Sequence, residues 1–153
     1  MEKGATMRAW VLTQPGRLEL QTVEIPAPKR GEALIKIDAA CLCNGSDPGI
    51  YAGHEAYRTP MIFGHEASGC IVEAGDGLKG FKTGDRVAWW CEMGAFAEYQ
   101  CVSPEKVAMF AVPDNLSIDE TPVMELVIAS CRALMPFSAC EGRRSLAICG
   151  LGP

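Results

Sequence analysis

The sequence of 153 residues has no apolar run close to the roughly 20 residues of a membrane-spanning helix. Residues 1–6 also lack the apolar region of a secretory signal. Basic side chains are in the minority, with 14 Lys and Arg against 19 Asp and Glu, which gives a net charge of -5. Nucleic-acid-binding surfaces need clustered Lys and Arg. We therefore expect a cytoplasmic protein with no membrane and no nucleic-acid partner.

The sequence also lacks the context that would turn its eight cysteines into a disulfide scaffold. Several cysteines lie in apolar segments, such as Cys149 within residues 145–149, where a free thiol behaves as a small hydrophobic side chain. Apolar residues make up 48% of the chain and charged residues 22%, which is enough for the packed core of one domain. Without a secretory signal, reduced thiols are the better interpretation.

Short apolar or alternating segments, separated by glycine and proline, make up most of the chain. The segments that favour strands are 7–12, 18–23, 32–40, 70–75, 86–90 and 94–102. Turn-forming residues interrupt this pattern after Cys41, and a short helix is predicted there, with Ser46 or Asp47 as its cap and Pro48 in its first turn. Many short strands at close spacing predict a small barrel or sandwich.

The character of the sequence changes near Ser117, where a polar cap with acidic residues leads into a helical pattern over 123–134. A buried type of strand is predicted over 145–149, followed by Gly150-Leu151-Gly152. A strand followed by Gly-x-Gly is how a dinucleotide-binding βαβ unit begins. Alone this signal is weak, because the third glycine and the distal acidic residue are missing.

Metal-binding side chains are concentrated in the segment 60–69, where His65 adjoins Glu66 in a turn flanked by glycines. An imidazole and a carboxylate, supplemented by a thiolate, form a typical set of ligands for a catalytic zinc ion. The simpler alternative is a turn histidine whose ring is satisfied by a backbone carbonyl. The other histidine, His54, is interpreted as a solvated loop residue.

Five segments, taken in chain order, carry a resemblance to a known family. They are Gly45-Ser46-Asp47, 60–69, Gly84-Asp85-Arg86-Val87, 94–99 and Gly150-Leu151-Gly152-Pro153. The chain resembles the medium-chain dehydrogenase/reductase superfamily, and specifically its zinc-dependent alcohol and polyol (sorbitol-type) dehydrogenases.

The resemblance implies a mainly β fold with three parts. Residues 1–117 would form a GroES-like catalytic domain, a partly open β-barrel with short helices. Residues 118–144 would form linking helices, and residues 145–153 the first strand of a Rossmann NAD(P)-binding domain. Gly150 and Gly152 would then contact the nucleotide.

In chemical terms the resemblance implies oxidation of a small alcohol, polyol or sugar-like substrate, with one catalytic Zn²⁺ and NAD or NADP. His65 would be a zinc ligand, and Glu66 a ligand or a carboxylate just behind the metal. Ser46 would start the proton relay from the substrate hydroxyl, and Asp47 would orient a ligand through its N–H. Gly49 replaces a histidine that the family often has, so proton release would use another route such as water.

The thiolate ligand is out of register in this sequence. In the family it stands three residues before the aspartate, and counting back from Asp47 gives Asn44, with Cys43 one residue too early. A neutral amide oxygen is a poor zinc ligand. Either the loop bulges so that Cys43 reaches the metal, which we favour, or the site has lost its thiolate. Cys41 is a less favoured candidate for the missing thiolate ligand. Alternatively, it is a strand residue whose side chain points inward.

Glu125 stands at the third metal position of the family, where polyol dehydrogenases have glutamate and alcohol dehydrogenases have cysteine. Its alternative role is that of a carboxylate stabilised by the dipole at a helix N-terminus. After the strand 86–90 only Cys91 remains of the four-cysteine lobe that many relatives carry, so no structural zinc is expected.

Three functions remain open. The first is the catalytic part of a zinc-dependent NAD(P)-linked dehydrogenase, a homo-oligomer at full length and inactive as this chain alone. The second is a zinc-free reductase of the same superfamily, which the displaced cysteine favours. The third is a stand-alone GroES-like binding module, although the strand 145–149 would then be an unpaired apolar edge.

Overall fold

The computed structural model describes residues 4–55, 57–90, 92–138, 145, 147 and 149. Strands dominate these residues, which confirms the mainly β prediction. The strands are β1 (Thr6–Gln14), β2 (Arg17–Glu24), β3 (Ala33–Ala40), β4 (Met61–Ile62), β5 (Glu66–Ala74), β6 (Arg86–Trp90), β7 (Tyr99–Val102) and β8 (Ala108–Ala111). The helices are α1 (Asp47–Ala52), a 3-10 turn (Thr121–Val123) and α2 (Met124–Ser138).

The strands form two antiparallel sheets, one with the order β2-β1-β4 and one with the order β7-β3-β5-β6-β8. An isolated bridge between Ala9 and Ala97 connects β1 to the segment before β7, and the Phe63 N–H donates to the Trp10 carbonyl at 2.9 Å. Within the described residues the sheets do not close into a barrel. The two sheets are thus connected but open, in agreement with the partly open barrel that the resemblance implies.

The main core lies on one face of the five-stranded sheet. Ile35, Ile71, Val87 and Trp89 are at most 1% exposed there. Burying a side chain of this size contributes about 1.5–3 kcal/mol. Strands β3 and β5 approach closely at Gly69, where a Cβ would lie 2.0 Å from the Lys36 carbonyl oxygen. The same pair of strands also positions the functional site.

Two short strands were not predicted, and two predicted boundaries differ. β4 has two residues and β8 has the sequence Ala-Met-Phe-Ala, so neither carries a readable alternation. β5 begins at Glu66, where a turn was expected to continue to Gly69. The prediction that 94–98 continues a strand is wrong, because this segment bends at Gly94, which has a φ of +124°.

The loop between β6 and β7 is held by one buried amide side chain. Trp89 Nε1–H donates to Gln100 Oε1 at 3.1 Å, and Gln100 Nε2 donates to the carbonyls of Glu92 and Met93 at 3.3 and 3.1 Å. Trp90 stacks on Phe110 with a centroid distance of 4.5 Å. Trp89 is 1% exposed and is therefore a core side chain.

Helix α2 covers all of the predicted helix 123–134 except its first residue, because Val123 still belongs to the 3-10 turn. Several of its apolar side chains are exposed, including Val127, Leu134 and Phe137. No helix in the described part of the chain has the length and apolar character to cross a membrane.

The predicted strand 145–149 is described only at alternate residues, Ser145, Ala147 and Cys149, which are exposed. Gly150 and Gly152 lie outside the described residues, as do Cys91 and the end of the linking segment. The three-part organisation of the chain therefore stays a prediction.

Candidate functional site

The structure brings Cys43, His65 and Glu66 together, with one ligand atom from each side chain lying within 4.8 Å of the other two. Strand pairing explains this arrangement. β3 and β5 are antiparallel, and Ala40 at the end of β3 faces Ala67 near the start of β5. The loop that carries Cys43 therefore leaves the sheet at the point where His65 and Glu66 enter it.

Gly64 determines how the chain approaches His65. It has a φ of +79°, which a residue with a side chain rarely adopts, and a Cβ here would lie 2.2 Å from the Phe96 ring. The Gly64 carbonyl also accepts the Ala95 N–H at 3.0 Å. Phe96 in turn packs edge to face on Phe63, with a centroid distance of 5.7 Å. The turn before His65 is therefore closely packed as well as left-handed.

Gly64→Ala is expected to destabilise the protein by about 3 kcal/mol, since the left-handed backbone and the displaced Phe96 ring each cost about 1–2 kcal/mol. Gly16→Ala is the matched control. Gly16 has a φ of +75°, and a Cβ added there would meet no atom within 4 Å, so only the backbone cost of about 1 kcal/mol applies. Urea unfolding of both variants measures the difference. Equal losses in the two variants would contradict the role of Phe96.

The Nδ1 side of the His65 ring faces Asp47. Nδ1 lies 3.1 Å from Asp47 Oδ1, an ion-pair contact whose alignment is outside hydrogen-bond geometry, so both buried atoms keep unmet hydrogen-bonding capacity. The Asp47 carboxylate raises the pKa of His65 to about 9, against burial, which lowers it. Asp47 is 1% exposed, and its other oxygen accepts the Cys43 N–H at 2.9 Å. One carboxylate thus fixes both the imidazole and the cysteine loop.

The Nε2 side of the ring faces the cluster. Ser46 Oγ lies 3.3 Å from His65 Nε2, and Glu66 Oε1 lies 3.5 Å from the same atom. Ser46 occupies the N-cap position of α1, as predicted, but its side chain makes no capping hydrogen bond. The hydroxyl is therefore directed to His65 instead of the helix.

Glu66 is 5% exposed, and its two oxygens face different neighbours. Oε1 faces His65, while Oε2 lies 2.8 Å from the Cys41 thiol, which donates to it. Burial and the hydrogen bond to Glu66 raise the pKa of Cys41 to about 12. Cys41 is thus a protonated donor at neutral pH.

Other predicted site residues lie outside this cluster. Glu125 is half-buried in the first turn of α2 and is not one of the clustered ligands, so its metal-binding role stays a prediction. Asn44 lies beside Cys43, and His54 is exposed, as expected. The contact between Cys41 and Glu66 was not predicted, because no local pattern links residues 25 positions apart.

A cavity of about 340 Å³ opens onto the cluster. Its lining residues are Cys41, Leu42, Cys43, Asn44, Gly45, Glu66, Val123 and Leu126. A larger groove of about 510 Å³ runs along Arg8, Trp10 and Ile37, away from the metal-binding side chains. Because Cys43 and Glu66 line the smaller cavity, we take it as the candidate site.

The residues of the cluster fit a zinc ion. A thiolate, an imidazole and a carboxylate are the donors that zinc prefers, and three protein ligands leave a fourth position open, as in catalytic sites. The buried carboxylate of Asp47 lies 3.1 Å from Nδ1 of His65, behind the ring nitrogen that faces the cluster. A carboxylate behind a ligating histidine is the usual support for such a ligand.

The ligand cluster thus lies at the ends of two inner strands of the five-stranded sheet, where β3 ends and β5 begins. Residues 29–114 match the family described as alcohol dehydrogenase GroES-like domain. This match covers more than half of the chain, which therefore belongs to that family, within the medium-chain dehydrogenase/reductase superfamily.

Individual relatives agree with this assignment. Human sorbitol dehydrogenase is 28% identical over 173 aligned positions, covering 94% of this chain and 48% of that protein. The crystal structure of the human synaptic vesicle membrane protein VAT-1 homolog-like protein is 32% identical, with a TM-score of 0.76, over 88% of this chain and 44% of that one. A mycobacterial quinone oxidoreductase is 27% identical, with a TM-score of 0.74, over 84% and 40%. The chain spans about half the length of these relatives.

Proposed function

We propose that this chain carries the metal and substrate site of a zinc-dependent, NAD(P)-linked dehydrogenase that oxidises a small alcohol. The observation that supports it most is the convergence of Cys43, His65 and Glu66 within 4.8 Å. Residues 1–117 would be the catalytic domain, 118–144 the linking helices, and 145–153 the start of a nucleotide-binding domain. The family match over 29–114 lies within the first part.

Cys43, His65 and Glu66 would hold the zinc ion. When bound, zinc supplies Lewis acidity that stabilises an alcohol oxygen as it loses its proton. Ser46, whose hydroxyl already lies at the edge of the cluster, would accept that proton at Oγ and pass its own to water. Asp47 would keep the His65 ring oriented with Nε2 toward the metal.

The cavity favours an alcohol with an apolar body over a polyol. Its walls beyond the ligand cluster combine three exposed apolar side chains, those of Leu42, Val123 and Leu126, with the amide of Asn44. A polyol would need several hydrogen-bonding partners for its hydroxyls, and a wall with three apolar side chains and one amide leaves most of them unpaired. Glu125, the residue that favours the polyol branch in the sequence, does not line this cavity.

Metal analysis of three proteins tests the ligand set. The unchanged chain is expected to bind one zinc ion in addition to any zinc held by exposed cysteines. Cys43→Ser should weaken zinc binding at least about tenfold, because a hydroxyl is a much poorer zinc ligand than a thiolate. Asn44→Ala, one residue away, should leave it unchanged. A loss of affinity in Asn44→Ala but not in Cys43→Ser would reverse the assignment of the ligand.

A zinc-free reductase is the second candidate. Two observations favour it: Asn44 occupies the position where relatives have their cysteine ligand, and the fold is similar to a quinone oxidoreductase. In that case the unchanged chain would bind no more zinc than a His65→Ala variant. Metal analysis of the unchanged chain beside His65→Ala thus decides between the two candidates.

A further inference from the structure

The Cys41 thiol lies just beyond the end of β3, two residues before the ligand candidate Cys43, and it makes different contacts. Cys41 Sγ lies 2.8 Å from Glu66 Oε2 and 3.4 Å from the Pro122 carbonyl oxygen. A thiol has one proton to donate, and the shorter contact assigns it to Glu66. Cys41 thus connects the carboxylate of the site to the segment that leads into α2.

Backbone pairing explains why this contact is well defined. The Cys41 N–H donates to the Glu66 carbonyl at 3.1 Å, so the two residues face each other across the β3–β5 pair. Cross-strand neighbours lie close enough for their side chains to interact directly. The thiol is therefore held against the carboxylate by the sheet itself.

We propose that Cys41 is a positioning residue for Glu66, an inference that rests on the proposed zinc site. By occupying Oε2, the thiol directs Oε1 to the cluster side, where it lies 3.5 Å from His65 Nε2. Glu66 is 5% exposed, so an Oε2 without its donor would have to find another partner by turning the carboxylate. Cys41 itself stays outside the set of metal ligands.

Zinc affinity, measured by competition with a chromophoric chelator, tests this role. Cys41→Ala is expected to weaken zinc binding about 10- to 100-fold, the range seen when a partner of a metal ligand is removed. Cys41→Val, which fills the space without a donor, should give the same loss. Cys41→Ser should restore the affinity to within about threefold, because the hydroxyl is again a donor.

Two controls separate positioning from general damage. Cys101→Ala removes another partly buried thiol that donates to a backbone carbonyl, that of Pro26 at 3.7 Å, and should leave zinc affinity unchanged. In a Glu66→Gln background, adding Cys41→Ala should cause no further loss, since the residue acts through Glu66.

The possible outcomes distinguish the two proposals. If the unchanged chain binds no zinc, the proposed function fails and this inference fails with it. If the unchanged chain binds zinc and Cys41→Ala and Cys41→Val bind it equally well, only the role of Cys41 is overturned. An additive loss in the Glu66→Gln background also overturns it.

Discussion

His65→Ala is expected to lower the zinc affinity of the chain at least about a hundredfold, the largest functional effect of any single substitution proposed for this site. Loss of a residue that only supports a ligand costs about 10- to 100-fold, so loss of the imidazole itself should cost more. The ring is also the centre of the site, with Asp47 at Nδ1 and both Ser46 and Glu66 at Nε2.

The chain provides its own control for this substitution. It contains two histidines, and His54 is exposed and outside the cluster. Titration calorimetry of His65→Ala and His54→Ala under identical conditions should show the loss in the first variant alone. If both variants bind zinc as tightly as the unchanged chain, the metal lies elsewhere and the cluster is not its site.

Asp47→Asn is expected to lower the stability of the metal-free protein by about 3 kcal/mol near pH 6. The pKa of His65 is raised from its ordinary value of 6.5 to about 9, chiefly by the Asp47 carboxylate. A difference of this size between the folded and unfolded chain corresponds to about 3 kcal/mol. Asn can still accept the Cys43 N–H, so the substitution removes mainly the charge.

The pH dependence of this effect has a definite sign. A group whose pKa is raised on folding binds its proton more tightly in the folded state, so its contribution is complete below pH 6.5 and is lost as the pH rises through about 9. The metal-free protein with Asp47 should therefore lose this stability between those values. In Asp47→Asn this contribution should be absent, so the difference in stability between the two proteins should shrink over the same interval.

Urea unfolding with a chelator present, repeated from about pH 6 to about pH 10, measures both curves. Asp114→Asn is the matched control, because Asp114 is exposed and its substitution removes the same charge from the chain. Stability within about 0.5 kcal/mol of the unchanged protein is expected for it. A difference between Asp47→Asn and the unchanged protein that does not shrink as the pH rises would show that the His65 ion pair is not its cause.

Much of the fold could be predicted because its strands carry local signals. β1, β3 and β6 alternate or run apolar between glycine and proline turns, and the structure confirms each of them. The two missed strands are short and depend on partners for their pairing: β4 pairs with β1, and β8 with β6. Such strands are defined by tertiary context, which one sequence does not reveal.

The candidate site was predictable only in part. His65 and Glu66 are adjacent in sequence, so their proximity needs no knowledge of the fold. Whether the loop before α1 directs Cys43 toward them depends on backbone geometry at a turn, and the contact between Cys41 and Glu66 depends on the β3–β5 register.

Glu125 shows the limit of counting along the chain. The cavity is lined by Val123 and Leu126, which are three residues apart and share one side of the turn into α2. Glu125 lies off that side. The sequence gives the spacing of Glu125 from the other family motifs. It does not give the side of the helix on which Glu125 lies.

The position of Glu66 as the first residue of β5 has a consequence for how the ligand set is assembled. Its backbone is paired with Trp90 of β6 and accepts the Cys41 N–H, so folding of the sheet already orders this ligand and the neighbouring His65. Cys43 lies in the turn beyond β3, outside the strand ladder. The Cys43 N–H is held there by the Asp47 carboxylate, so two separate parts of the fold, the strand ladder and the turn before α1, together position the three ligand candidates.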